Sequence, residues 1–299
     1  MGASLQNSTT ASKTQNSNLK TQNSKLPMLE LHCHTTCSDG SLTPTELVEE
    51  AIAQGVKALA VTDHDTLAGW DEAQAAAAGQ DLEIVPGVEL STVWANHSVH
   101  ILGFYPNREQ FEPPLRDRLD GRKRRAQAMV EKLAELGYPI TLPEMGDGIA
   151  PCRPHIAKAM LEAGHVKTYD EAFDRFISEG KPAYVQYEKF SALEGIRLLR
   201  DCGAVPVWAH PFLFRGGNVP QVLEAFMDAG LMGLEVYHPT HSPGQVATLR
   251  ELCAENNLVK TGGSDYHGPH RDATHRPFPL NHFQIPLSLL DPLKEAAQR

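Results

Sequence analysis

Short apolar runs alternate with amphipathic stretches along most of the chain, and each apolar run ends in polar, chemically active residues. Leu29-Glu30-Leu31 predicts a first strand. Thr43-Pro44-Thr45-Glu46 then reads as a capping box with proline at the first helical position. The helix runs to Gln54 and stops at Gly55. Ala58–Thr62 is an unbroken apolar run after a helix, the signature of a buried parallel strand. Gly69–Ala78 predicts an Ala-rich helix, and Glu83–Val85 a third strand leading into Pro86–Leu90. Ser91–Trp94 and Val99–Tyr105 predict the arms of a hairpin turning at Ala95–Ser98. After Pro106 the pattern changes. About 112–136 is charged and helical, Arg153-Pro154-His155 opens another helix, and Tyr169–Ser178 predicts a third. Alternation then resumes with helices from Ser191, Pro220 and Ser242, and strands at Ala204–Ala209, Gly233–Tyr237 and Leu258–Thr261. This order predicts an α/β barrel over 28–106 and 183–299, with 107–182 as a helical insertion or lid. Residues 1–27 are rich in Ser, Thr, Asn and Gln, lack an apolar signal core and read as a disordered leader.

With 299 residues, 41% of them hydrophobic, the chain is long enough to bury a large core. The net charge of −10 argues against a surface that coats long duplex nucleic acid, though not against a local basic pocket. Five cysteines without a C-x-x-C pair suit a reduced, cytoplasmic protein. There is no run of 18 apolar residues, so no membrane span is expected.

The fourteen histidines change the picture. His32 and His34 are spaced i, i+2 at a strand end and point to one face. The other predicted strand ends carry Asp63 and His64, Glu89, His100, His210, Glu235 and His238, and Asp265 and His267. In a barrel of β-α units such ends converge on one face, where the active sites of these barrels lie. Imidazoles and carboxylates gathered there predict a multinuclear centre of divalent ions. Ligation by oxygen and imidazole suits Mn²⁺ first, and also Fe²⁺ or Zn²⁺. Cys37, on the first loop, is a further candidate thiolate donor. Cys33 alternates away from the site and belongs in the core, and His270 is a candidate for the rim.

The series His32-x-His34…Asp39, Thr62-Asp63-His64, Gly87-x-Glu89, His100-x-Leu102-Gly103, Ala209-His210-Pro211 and Gly263-Ser264-Asp265-x-His267 resembles the polymerase and histidinol phosphatase (PHP) domain of the amidohydrolase superfamily. That resemblance implies a distorted (β/α)7 barrel with two to three metal ions. By motif, one ion would take His32, His34, Glu89 and Asp265, a second Glu89, His100 and His210, and a third Asp39, His64 and His267. The implied chemistry is phosphoester hydrolysis, with His32, His34, Glu89, His210 and Asp265 as its catalytic set. Gly121-Arg122…Arg125-Ala126 and Arg153-Pro154-His155 resemble the branch acting on nucleoside 3′,5′-bisphosphates, whose relatives degrade short RNA from the 5′ end. Arg122, Arg125, Arg153, His155 and His238 are then the expected substrate contacts. The expected partner is a small phosphorylated nucleotide or a short oligonucleotide. A non-catalytic metal-binding regulatory module is the reading from another class; the complete donor set argues against it.

Overall fold

The computed structural model describes residues 27–186, 190–269 and 278–299. Residues 1–26 of the leader and His270 lie outside the described residues. The strands are β1 (Met28–Glu30), β2 (Val56–Val61), β3 (Glu83–Trp94), β4 (His97–Phe104), β5 (Val205–Trp208), β6 (Gly233–Tyr237), β7 (Val259–Gly262) and β8 (Ile285–Pro286). The helices are α1 (Pro44–Ala53), α2 (Trp70–Ala77), α3 (Arg108–Glu135), α4 (Arg153–Glu162), α5 (Tyr169–Ala172), α6 (Ala192–Asp201), α7 (Val219–Asp228), α8 (Pro243–Glu255) and α9 (Leu290–Ala296). Strands β1 to β7 lie in chain order around a nearly closed barrel, and β8 adds to β1. All neighbours are parallel except β3–β4, β4–β5 and β1–β8. The ring closes beyond the strands themselves. Leu31 N–H donates to Gly262 O at 3.2 Å, Tyr266 N–H to His32 O at 3.3 Å, and His34 N–H to Tyr266 O at 2.8 Å.

The local chemistry explains the elements. Thr43 Oγ1 accepts the Glu46 N–H at the start of α1 while Glu46 accepts the Thr43 N–H, closing the capping box. Gly55, with φ of 79°, ends the segment in the left-handed region that an L side chain avoids. The period-2 alternation of the strands separates two apolar layers. Leu59, Val61, Val88, Leu90, Ile101, Trp208 and Leu234 pack outward against the helices. Ala58, Ala60, Val85, Leu102, Phe104, Val205 and Val207 fill the interior, where Leu290 and Leu293 of α9 join them. Glu89 has the parity of Val85, His100 that of Leu102, and Glu235 that of Gly233. One interior face is therefore apolar at one end and ionisable at the other. Because β4 runs antiparallel, its first residues lie beside the last residues of its neighbours, which brings His100 opposite Ser91 at the ionisable end.

Three elements differ from the expectations. β3 is one continuous twelve-residue strand, and the hairpin turns on Ala95 and Asn96 alone, with Trp94 already paired to His97. Both turn residues have positive φ, 49° and 66°, which suits the right-handed twist of a two-residue hairpin. α3 begins at Arg108 and carries Pro113 and Pro114 within it. Its first half buries Phe111 and Leu115 in the barrel's outer layer. Its second half places Ala126, Met129 and Leu133 in a separate core with Ile156, Met160 and Phe176. β8 had no signal, because a two-residue strand is recruited by the open edge of β1 rather than by its own periodicity.

Candidate metal centre

Glu89 is the hub. Its carboxylate is buried and five imidazoles surround it. Oε2 lies 3.2 Å from His32 Nε2, 3.1 Å from His34 Nε2 and 3.2 Å from His64 Nδ1. Oε1 lies 2.8 Å from His100 Nδ1 and 3.2 Å from His210 Nε2. Asp265 Oδ1 closes the first group, 3.4 Å from His32 Nε2 and 3.2 Å from His34 Nε2. Asp39 opens a further group: Oδ1 is 3.2 Å from His267 Nε2 and Oδ2 is 3.9 Å from His64 Nε2. Four sets of donor atoms result, each within 4.8 Å of one another: His34, Asp39, His64 and His267; His32, Glu89 and His210; His32, His34 and Asp265; His64, Glu89 and His100. All nine residues expected as ligands thus meet at one end of the barrel. Cys37 is in none of these sets, and burial pushes its thiol up to about 11.

Whether these residues fit divalent ions can be tested on the atoms themselves. His32 Nε2, His34 Nε2 and His64 Nδ1 are buried and have no hydrogen-bond partner. A buried ring nitrogen without a partner is costly unless something else satisfies it. Here three of them converge on one carboxylate oxygen. The electrostatics agree. Burial alone would raise the Glu89 carboxyl, yet His100, His32 and His64 hold it well below the usual range. His34 is raised to about 10 although burial opposes it, because the Asp265 and Glu89 carboxylates lie beside it, while burial sends neighbouring His64 down to about 3. So many adjacent imidazoles do not all carry protons. Cations that replace those protons suit the donor set.

A ring of supports fixes the ligands. Asp63, expected beside a ligand, organises the first loop: its carboxylate accepts Thr35 N–H at 2.7 Å, Thr35 Oγ1–H at 2.6 Å and Ser38 Oγ–H at 2.5 Å. Gly40 has no room for a side chain, since a Cβ there would lie 2.3 Å from His34 O. Glu235 meets His32 and the backbone of His210. His238 Nδ1 meets the Thr240 hydroxyl at 2.8 Å and accepts the Thr240 N–H at 3.3 Å, and its Nε2 lies 3.5 Å from Asp265 Oδ2.

The expected substrate residues divide. Arg122 is buried and engaged by protein groups: Nη1 donates to Asp65 Oδ2 at 2.5 Å and Ser91 Oγ at 2.9 Å, and Nη2 to Cys152 Sγ at 2.8 Å. Arg125 Nε donates to Val185 O at 2.6 Å. Arg153 and His155 stand in the first turn of α4. The Arg153 guanidinium lies 5.8 Å from the Phe173 ring centroid. His155 Nδ1 accepts the Cys152 N–H at 3.0 Å, and burial lowers its pKa. The Asp39 carboxylate opposes that lowering. Two residues escaped the sequence reading. Asp65 follows His64 with φ of 53° and binds both Arg122 and Arg118. Arg118 also donates to Ser91 O at 2.5 Å and stacks 3.7 Å from the Phe190 ring centroid. The only available signal was the Asp-His-Asp order at 63–65.

A barrel whose interior ends in clustered carboxylates and imidazoles defines a metal-dependent hydrolase, and comparison with known proteins gives the bond. The PHP domain family model matches residues 30–112. A 5′-3′ exoribonuclease of Haemophilus influenzae is 35% identical over 249 residues, 80% of this chain and 90% of that protein. A 3′,5′-nucleoside bisphosphate phosphatase of Chromobacterium violaceum is 32% identical over 254 residues, 81% and 87% of the two chains. The crystal structure of a candidate metal-dependent phosphoesterase from Bifidobacterium adolescentis superposes with a TM-score of 0.81 at 33% identity, covering 90% of this chain and 96% of that one. The chain belongs to the PHP family of metal-dependent phosphoesterases and hydrolyses phosphoester bonds.

Proposed function

We propose that this enzyme removes the 3′-phosphate of nucleoside 3′,5′-bisphosphates, giving the 5′-nucleotide and inorganic phosphate. The observation that carries the reading is the division of Glu89: Oε2 faces His32, His34 and His64, and Oε1 faces His100 and His210. One carboxylate with each oxygen turned to a different group of histidines suits two neighbouring ions. In this reading His32, His34, Glu89 and Asp265 hold the first ion, Glu89, His100 and His210 the second, and Asp39, His64 and His267 the third. Mn²⁺ is the expected metal. Bound divalent ions supply Lewis-acid polarisation of the scissile phosphate and acidify water.

The chain's own residues do the rest. His155 gives up its Nδ1 lone pair to the Cys152 N–H, so as a neutral ring it carries its proton on Nε2 as a hydrogen-bond donor. It stands with Arg153 in the first turn of a ten-residue helix, whose positive dipole end favours an anion. These two residues would hold the phosphate that is not cleaved, and His238 would contact substrate from the Asp265 side. Arg122 and Arg125 would act on the substrate through the segments they hold. The bisphosphate phosphatase relative supports this substrate. The exoribonuclease relative supports a second reading, 5′→3′ cleavage of short RNA by the same centre.

The test is Mn²⁺-loaded protein assayed for phosphate or nucleotide release from adenosine 3′,5′-bisphosphate, AMP, histidinol phosphate and a short 5′-phosphorylated RNA. Fastest turnover is expected on the bisphosphate. Preference for the RNA would select the exonuclease reading, and activity confined to histidinol phosphate would remove both. Bound metal with no turnover of any phosphoester would point to the regulatory module. Arg153→Ala is expected to raise KM for the bisphosphate by about tenfold or more and change kcat little, since a charged contact to a phosphate contributes ~1.5–3 kcal/mol. An unchanged KM would take Arg153 out of the phosphate site.

A further inference from the structure

The metal-centre reading requires each histidine to present a bare nitrogen, and Glu235 bears on two of them at once. It lies on β6, facing the barrel interior and fully buried. Its Oε1 is 2.9 Å from His32 Nδ1. Its Oε2 accepts the backbone N–H of His210 at 2.7 Å. An ionised carboxylate only accepts, so the His32 proton sits on Nδ1. That leaves the lone pair on Nε2, the nitrogen without a hydrogen-bond partner, facing Glu89 Oε2 and Asp265 Oδ1. His210, two residues beyond the β5 end, has φ of 33°, a backbone conformation that a residue with a Cβ rarely adopts. Its N–H is tied to Glu235, and its ring reaches Glu89 Oε1.

We propose that Glu235 is the positioning residue of the centre: one carboxylate fixes the tautomer of His32 and the backbone of His210, and so sets two adjacent ion positions relative to each other. The proposal rests on the assignment of His32 and His210 as ligands. The chemistry demands a carboxylate here, because each oxygen serves one donor. In Glu235→Gln, one oxygen becomes an NH₂ group. Turned to His210, that group meets the backbone N–H; turned to His32, it favours a bare Nδ1 and so shifts the ring proton to Nε2, the nitrogen facing Glu89 and Asp265. Aspartate is one methylene shorter and would have to reach donors on two different strand ends.

The experiment measures Mn²⁺ affinity of the full-length chain by competition with a chelator, in the wild type and in Glu235→Gln. The variant is expected to bind about 10- to 100-fold more weakly, the usual range for the loss of a group that orients a ligand. A second measurement needs no variant. Long-range ¹H–¹⁵N spectra of the wild type loaded with diamagnetic Zn²⁺ are expected to show His32 protonated at Nδ1 and metal-bound through Nε2. Equal Mn²⁺ affinity in the two proteins, or a His32 proton on Nε2, overturns the role of Glu235 while leaving the metal centre intact. A wild type that takes up neither Mn²⁺ nor Zn²⁺ removes the metal-centre reading, and this proposal with it. If Glu235→Gln fails to fold, the wild-type spectrum alone decides.

Discussion

Glu89→Gln is expected to lower phosphate release by at least about 10³-fold, or ~4 kcal/mol of barrier, while the protein stays folded but short of metal. The amide keeps the shape of the side chain and removes its charge. Five imidazole nitrogens lie between 2.8 and 3.2 Å from the two oxygens, so none of these contacts survives with its former character. An NH₂ group in place of Oε1 would point a hydrogen at His100 and His210, and in place of Oε2 at His32, His34 and His64. Either turn spoils one ion position and weakens the attraction at the other. Phosphate assay and elemental analysis on the same sample check this. A variant with wild-type metal content and activity within tenfold would end the role of Glu89 as the shared ligand.

Arg122→Ala is expected to cost about 3 kcal/mol in chemical unfolding, the lower end of what breaking a buried ion pair costs. Arg122 and Asp65 are both buried, and the pair joins α3 to the loop after β2. Arg118 remains in the variant and shields Asp65 in part, which sets the lower end. The pH dependence follows from Asp65. Burial raises its carboxyl, but Arg118 and Arg122 outweigh burial and bring it down to about 2, from 3.8 unfolded. A carboxyl depressed in the folded state stabilises above its unfolded pKa, and that stability is lost as pH falls from about 4 towards 2. The amount is roughly 2 kcal/mol. The gap between wild type and Arg122→Ala should therefore be widest near neutrality and shrink below pH 4. A gap that stays constant across that window would show that Asp65 is not the group being stabilised.

What the sequence made legible was whatever repeats locally. His32 and His34 share a face by strand period, Thr43 and Glu46 form a cap by spacing, and the Gly-Ser-Asp-x-His run marks a strand end. All nine expected ligands meet because barrel topology turns sequence order into spatial order. Hidden from the sequence was the choice among equivalent partners. Arg118, Arg122 and Arg125 lie on one helix, and nothing in their spacing tells which meets a carboxylate, which a carbonyl and which an aromatic ring. Asp63 and Asp65 flank the same histidine, yet one organises a loop and the other anchors α3. That difference arises from a backbone turn to φ of 53° at Asp65, which an Asp-His-Asp string does not encode. The two-residue β8 is likewise decided by neighbours far along the chain, whereas α3 starts early on a local cap, Asn107 Oδ1 accepting the Gln110 N–H.

The seam between the first and last strands of the ring has a consequence for how the molecule comes into being. Leu31, His34 and Tyr266 stitch that seam, and His32 on one side meets Glu235, 203 residues along the chain, on the other. Contacts of such separation form only after a very long loop has closed, which makes them late and slow relative to local pairing. The barrel can grow strand by strand from β2 to β6, but the centre is complete only when β1 meets β7. A nascent chain that ends before β7 still carries His32, His34, Asp39, His64, Glu89, His100 and His210, but lacks Asp265 and His267. Such a chain would hold only part of the donor set, so the complete set exists only in the closed ring.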